Sequence, residues 1–231
     1  MSLLKIENLN VNYGGIQAVS DLNMHIEQGE LVTLIGANGA GKTTTLKTIT
    51  GLVKPKSGTL LYQDQDIRKT EVHKFVSQGL VMVPEGRGIF PKLTVVENLD
   101  MGAFYRKDKA QIQADIEYVM TLFPRLKERA KQLAGTLSGG EQQQVAIARA
   151  VAKNPKILLC DEPTGALDYN TGKQVLKILQ DKARNEGATV IIVTHNGALA
   201  PIADRVIRMH DARVQSIELN ATPQDIDSLE Y

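Results

Sequence analysis

The sequence predicts an α/β fold: a mainly parallel sheet, an N-terminal antiparallel β subdomain and an inserted helical lobe at about residues 86–152, all within one domain spanning residues 1–231. Three observations carry this reading. Short apolar runs at Leu31–Ile35, Leu80–Val83, Ile157–Cys160 and Thr189–Val193 read as core strands, the third as a central parallel one. Leu22, Met24 and Ile26 instead alternate with polar neighbours, the period of a half-buried antiparallel strand. Residues 84–135 carry helical stretches and no convincing strand.

In chain order, residues 3–8 and 18–27 are expected strands around the turn Asn12-Tyr13-Gly14-Gly15. Gln28-Gly29-Glu30 turns the chain into the Leu31–Ile35 strand, and Leu46, Ile49 and Leu52 mark the helix that follows. Gly51 and Pro55 stop that helix, and Thr59–Tyr62 forms a short strand. Residues 64–78 show only weak helical spacing. Ile112, Ile116, Val119, Met120 and Phe123 share one face of a helix that ends at Pro124. Ser138 and Glu141 form a capping-box pair for a helix running to about Lys153. A helix over 170–185 precedes the Thr189–Val193 strand, short strands fill 205–219, and the polar tail from Ala221 is expected to be loosely held.

Composition narrows the function. Apolar residues make up 42% and charged residues 23%, ordinary for a globular domain. A net charge of +1 argues against a broad nucleic-acid surface. The single cysteine, Cys160, excludes an internal disulfide and reads as a small buried apolar residue. The start does not resemble a signal or transit peptide, and no run of 18 apolar residues occurs. Any membrane role is therefore expected through a partner.

The strand at Leu31–Ile35 runs into Gly36-Ala37-Asn38-Gly39-Ala40-Gly41-Lys42-Thr43-Thr44, a complete G-x-x-x-x-G-K-[ST] loop between strand and helix. Gly36, Gly39 and Gly41 let backbone N–H groups approach phosphate oxygens, with Asn38 among them, and the helix beyond offers its positive end to the same anion. Lys42 supplies a point charge for the β- and γ-phosphates, and the Thr43 hydroxyl, followed by Thr44, suits Mg²⁺. A nucleoside triphosphate is the expected ligand.

Downstream groups fit phosphoryl transfer. Asp161 and Glu162 end a central strand, the edge where α/β sheets bind ligands. The first acid can hold Mg²⁺ and the second can orient and deprotonate a water. His195 ends the next strand at the same edge, within reach of a γ-phosphate. Leu137-Ser138-Gly139-Gly140-Glu141-Gln142 offers a hydroxyl, two bare glycines and a helix start, a second anion site. A helical lobe separates it from the phosphate loop, so one triphosphate cannot readily use both from one chain. A head-to-tail dimer, each triphosphate closed between one subunit's loop and the other's Ser138–Gly140, is the economical geometry.

Together these residues, with Leu158-Leu159-Cys160-Asp161-Glu162-Pro163 and Ala166-Leu167-Asp168, resemble the ATP-binding subunit of ABC transporters over essentially the whole chain. The resemblance implies a P-loop NTPase core that binds ATP with Mg²⁺ and hydrolyses it. Tyr13 would stack on adenine, and Lys42 and Thr43 would hold phosphates and metal. Ser138, Gly139 and Gly140 would contact the partner's nucleotide, Asp161 would hold the metal and Glu162 would be the catalytic base. Asp168 would communicate across the dimer and His195 would be the switch histidine. It further implies a second ATPase subunit and transmembrane permease subunits as partners, no nucleic acid, and a cytoplasmic, peripheral location on the inner face of the cell membrane.

Two halves resemble different branches. Residues 1 to about 140, including Val83-Pro84-Glu85-Gly86-Arg87-Gly88-Ile89-Phe90-Pro91, are similar to ATPases of branched-chain amino acid importers. Glu85 stands where the family usually has a glutamine near Mg²⁺; it is retained as a metal candidate that brings charge and loses an amide donor. From about residue 144, Pro163-Thr164-Gly165-Ala166-Leu167-Asp168 and Val193-Thr194-His195-Asn196 are similar to lipoprotein-release and macrolide-export ATPases. The change of wording leads to the expectation of a chimera joined near Gly140–Gln144. Coupling to an importer permease follows from the first half, and an export-type subunit or a chimera that binds ATP without driving transport is the alternative.

Overall fold

The structure is a computed structural model that describes residues 2–86 and 88–229; Met1, Glu230, Tyr231 and Arg87 of the Glu85 loop lie outside it. Strands β1 (Ser2–Tyr13) and β2 (Ile16–Glu27) form a long antiparallel hairpin, extended beyond the predicted 3–8 and 18–27. Register shifts, with Asn8 and Asp21 in left-handed backbone at φ 50 and 47, slip the inward face mid-strand. That break in phase hides the full strand length from a period-two reading. With β4 (Ser57–Tyr62) and the short β5 (Gln65–Asp66) the hairpin forms a four-stranded sheet ordered β2-β1-β4-β5.

The second sheet positions the site. Its strands are β3 (Leu31–Gly36), β6 (Leu80–Val83), β7 (Ile157–Asp161), β8 (Thr189–Thr194), β9 (Arg205–His210) and β10 (Arg213–Leu219), ordered β10-β9-β3-β8-β7-β6. All pair in parallel except β10, which runs antiparallel on the edge. Both faces are covered at β3, β6, β7 and β8, which is why these four strands read as unbroken apolar runs, whereas the edge strand β10 is largely exposed. Leu158, Cys160, Val190 and Ile192 pack toward the helical lobe, while Ile157, Leu159, Ile191 and Val193 pack toward the antiparallel sheet. Truncating a fully buried leucine such as Leu159 would cost about 2–5 kcal/mol.

Helix α1 (Lys42–Ile49) is shorter than its apolar spacing implied. Gly51, at φ 72, turns the chain away, so Leu52 falls outside the helix and is 58% exposed. Helix α2 (Val72–Ser77) occupies the stretch of weak spacing. The lobe holds α3 (Val95–Gly102), α4 (Lys109–Leu122), α5 (Pro124–Glu128) and α6 (Gly139–Val151). Ile116, Val119 and Met120 of α4 are buried as the pattern required. Phe123 caps α4, and Pro124 both stops it and opens α5, where its missing N–H is harmless. The Ser138/Glu141 capping box forms as read, and α6 runs unbroken through residues 140–144. Helix α7 (Tyr169–Glu186) then connects β7 to β8.

The tail is a correction. Ile226 is fully buried, and the Gln180 side chain donates to Gln224 O at 2.8 Å while accepting from Ile226 N at 3.0 Å. Ile226, with Leu229 packed against the same cluster, docks the otherwise polar segment on α7, which a composition reading overlooks. Among the described residues no helix is long and apolar enough to cross a membrane.

Candidate functional site

The phosphate loop connects β3 to α1. Gly41 is the N-cap of α1 at φ 97, and no side chain caps that end, so the first N–H groups of the helix face outward for an anion. A Cβ on Gly41 would lie 2.6 Å from Ala18 O, and one on Gly36 would lie 2.5 Å from Met209 O. Packing therefore dictates glycine at both positions, and at Gly41 the left-handed backbone does so as well. Lys42 is buried, and its ammonium donates to Gly36 O at 2.8 Å and Ala37 O at 3.0 Å, which holds it at the loop's centre. Asn38, Gly39, Gly41, Lys42, Thr43 and Thr44 line a cleft of about 470 Å³ together with Glu85 and Glu162.

The acids arrive from β7. Asp161 is paired in the sheet with Val193 of β8, so the ends of the two strands lie side by side. The Thr43 hydroxyl donates to Asp161 Oδ1 at 3.0 Å, whereas Oδ2 is buried with no partner among the described residues. Burial pushes the Asp161 carboxyl above its ordinary range; the Thr43 hydrogen bond opposes this, and the charges of Glu85 and Glu162 add to it. A buried, half-satisfied carboxylate beside a threonine hydroxyl fits a divalent cation or its water. Glu85 lines a further recess with Thr43, Lys47 and Asp161, which places it on the same side of the loop.

Glu162 sits in left-handed backbone at φ 47, with its N–H donating to Val193 O at 3.0 Å. Such strain in a glutamate costs about 1–3 kcal/mol and persists only where surroundings impose it. The turn aims the carboxylate at β8, where Oε1 lies 3.0 Å from His195 Nδ1. Glu162 and His195 also line a larger cleft of about 800 Å³ with Asn38, Glu85, Gln142 and Gln143.

The structure keeps other predicted residues apart. Ser138, Gly139 and Gly140 line neither cleft, and exposed Ser138 caps α6 by accepting from Glu141 N and donating to Glu141 Oε2. Asp168 is the N-cap of α7, accepting from Thr171 N at 3.1 Å, and hydrogen bonding to Thr171 holds its carboxyl below the ordinary range. Tyr13 stands 46% exposed at the end of β1 and does not line the phosphate cleft; Ile16, Gln17 and Ala18 of β2 do. These three and Gln143 were not identified from the sequence, and Gln142 was named only as the end of the Leu137–Gln142 stretch. An apolar Ile16 just past a double glycine, on an otherwise alternating strand, was the available signal.

With this geometry in hand, comparisons give the chain its relatives. A family model described as ABC transporter matches residues 19–165. The chain is 42% identical over 213 residues to the high-affinity branched-chain amino acid transport ATP-binding protein BraG of Pseudomonas aeruginosa, covering 92% of this chain and 91% of that one. It is 37% identical over 203 residues to the lipoprotein-releasing system ATP-binding protein LolD of Syntrophotalea carbinolica, covering 86% and 89% respectively. A solved dimeric bacterial ABC transporter cassette matches with a TM-score of 0.83 at 31% identity over 94% of this chain and 98% of that one. The same cassette in a post-hydrolysis state with ADP and Pi matches at 0.82. The BraG match runs across both sides of residues 140–144, so a single natural relative is similar to both halves and the expected chimera gains no support.

Proposed function

The chain belongs to the ABC transporter family as an ATP-binding, ATP-hydrolysing subunit, and from this we propose that it energises import of branched-chain amino acids through transmembrane permease subunits. The observation that carries the substrate class is the 42% identity to BraG over nearly the full length of both chains. We take residues 1–231 as one nucleotide-binding domain with its lobe at about 86–152, held through permeases on the inner face of the cell membrane.

At the site, Lys42 and the N-terminal N–H groups of α1 bind the phosphates, which requires the ammonium to exchange the carbonyls of Gly36 and Ala37 for phosphate oxygens. Thr43 and Asp161 fit Mg²⁺, with Glu85 beside them. Mg²⁺, when bound, neutralises charge developing on the transferred phosphoryl group. Glu162 accepts the proton of the attacking water, and His195 fixes its carboxylate and faces the γ-phosphate. Ser138, Gly139 and Gly140, exposed or half-buried and lining neither of their own chain's clefts, close over the triphosphate of a second subunit, and Asp168 takes part in that interface.

Reconstitution in vesicles tests the reading. ATP-dependent uptake of leucine is expected with a branched-chain amino acid permease and not with a lipoprotein-release permease. Uptake or stimulated ATPase activity only with the latter would overturn the substrate class.

A further inference from the structure

The tail follows one face of α7 toward the site. Tyr169, Lys173, Lys177 and Gln180 lie on successive turns of that helix. Gln180 exchanges hydrogen bonds with Gln224 O and Ile226 N, and Lys177 pairs with Asp225 at 2.9 Å. Lys173 donates to Asp227 O at 3.0 Å, and Tyr169 donates to Leu229 O at 3.5 Å. The tail thus runs antiparallel to α7 and reaches the residue after its N-cap, Asp168. Buried Ile226 anchors it in the same apolar cluster as Val175, Leu176 and Leu179.

From Asp168 the loop back to Glu162 is short and internally bonded. Gly165 N donates to Glu162 O at 3.2 Å and Leu167 N donates to Thr164 O at 3.0 Å. Leu167 also packs on α6, where a Cβ at Gly140 would meet its Cδ2 at 3.4 Å. The 163–168 loop leading into α7 therefore connects the strained Glu162, through Leu167 beside Gly140, to the N-cap Asp168.

We infer that residues 224–229 are a strap that positions the 163–168 loop, with Gln180 and Ile226 as positioning residues for hydrolysis. This rests on the assignment of Glu162 above. The strap adds fixed contacts to the N-terminal half of α7 and leaves the phosphate loop untouched. Its removal displaces Glu162 and Asp168 without weakening nucleotide binding.

The test compares the full chain with a chain ending at Asn220, with Ile226→Asp, and with the conservative Ile226→Leu. Hydrogen–deuterium exchange and steady-state ATPase kinetics are read for each. Exchange is expected to rise at residues 163–172 and to stay unchanged at 36–44. The kcat is expected to fall about ten-fold with KM for ATP held within about two-fold, short of the ~100-fold that a 1 Å misplacement can cost. Ile226→Leu should restore both. Unchanged exchange at 163–172 overturns the strap, and so does a rise shared equally by 36–44, which is general loosening. Full-length Glu162→Gln is the control on the site itself. If it retains activity, the assignment of the base fails, while the exchange data still decide the strap.

Discussion

His195 Nδ1 lies 3.0 Å from Glu162 Oε1, joining the ends of two adjacent parallel strands. The glutamate side chain is 16% exposed and the imidazole 64%, so the carboxylate is sheltered while its partner looks outward. The pair exists because β7 and β8 are neighbours in register and because Glu162 adopts a left-handed turn immediately after Asp161.

Glu162→Gln should preserve the contact to His195 through its amide and remove the proton acceptor. ATP hydrolysis is expected to fall about 10²–10⁴-fold while ATP affinity stays within a few-fold. Steady-state phosphate release and nucleotide titration check this. A rate within two-fold of the parent would show that another group accepts the proton.

Much of this site was legible in the sequence, for a physical reason. Residues 36–44 and 161–162 follow apolar strands directly, so local sequence order fixes their edge of the sheet. The Ser138/Glu141 cap is likewise local. What escaped was set by distant packing. The full β1–β2 hairpin is masked by its bulges, the Ile16–Ala18 wall faces the loop only through tertiary folding, and the tail docks through Gln180, some 44 residues away in sequence. The change of wording past Gly140 was read as a junction, a reading that the match to one relative across both halves does not support.

Asp161 gives a pH signature. Its folded pKa is raised, chiefly by burial, so its neutral form is the one the fold favours. The associated stability is fully present below the unfolded pKa and is lost as pH rises through the folded value. Asp161→Asn in chelator-containing, nucleotide-free buffer should therefore be stabilising at about pH 7, with the gain shrinking toward about pH 4. Urea unfolding at the two pH values measures it. The same variant should lose Mg²⁺-dependent ATPase activity, and a gain that grew on acidification would contradict the sign.

Two glycines of the loop separate strain from collision. Gly41, at φ 97, leaves 2.6 Å between an added Cβ and Ala18 O, whereas Gly39, at φ 84, has nothing within 4 Å. Gly39→Ala should cost about 1–2 kcal/mol from left-handed strain alone. Gly41→Ala should cost more, about 3–5 kcal/mol, because backbone of β2 must also move. Thermal and urea denaturation of the two variants settle the order, and equal losses would mean that the β2 backbone yields freely.

The composite site can be tested by mixing two inactive chains. Lys42→Ala removes a buried ammonium, one charge-assisted partner of the phosphates, and should weaken ATP binding about ten-fold or more. Ser138→Arg leaves the phosphate loop intact and fills the space where a second subunit's nucleotide would sit. In a head-to-tail heterodimer of the two variants, one site combines both lesions and the other has neither. Random mixing then restores up to about one quarter of the parental sites, and the ATPase rate of the mixture should exceed that of either variant alone. If each site were built within one chain, every site in the mixture would carry a lesion and no activity would return. The first outcome is expected because Ser138, Gly139 and Gly140 are absent from both clefts that Asn38, Glu85 and Glu162 line, although Gln142 and Gln143 of the same helix border the larger one.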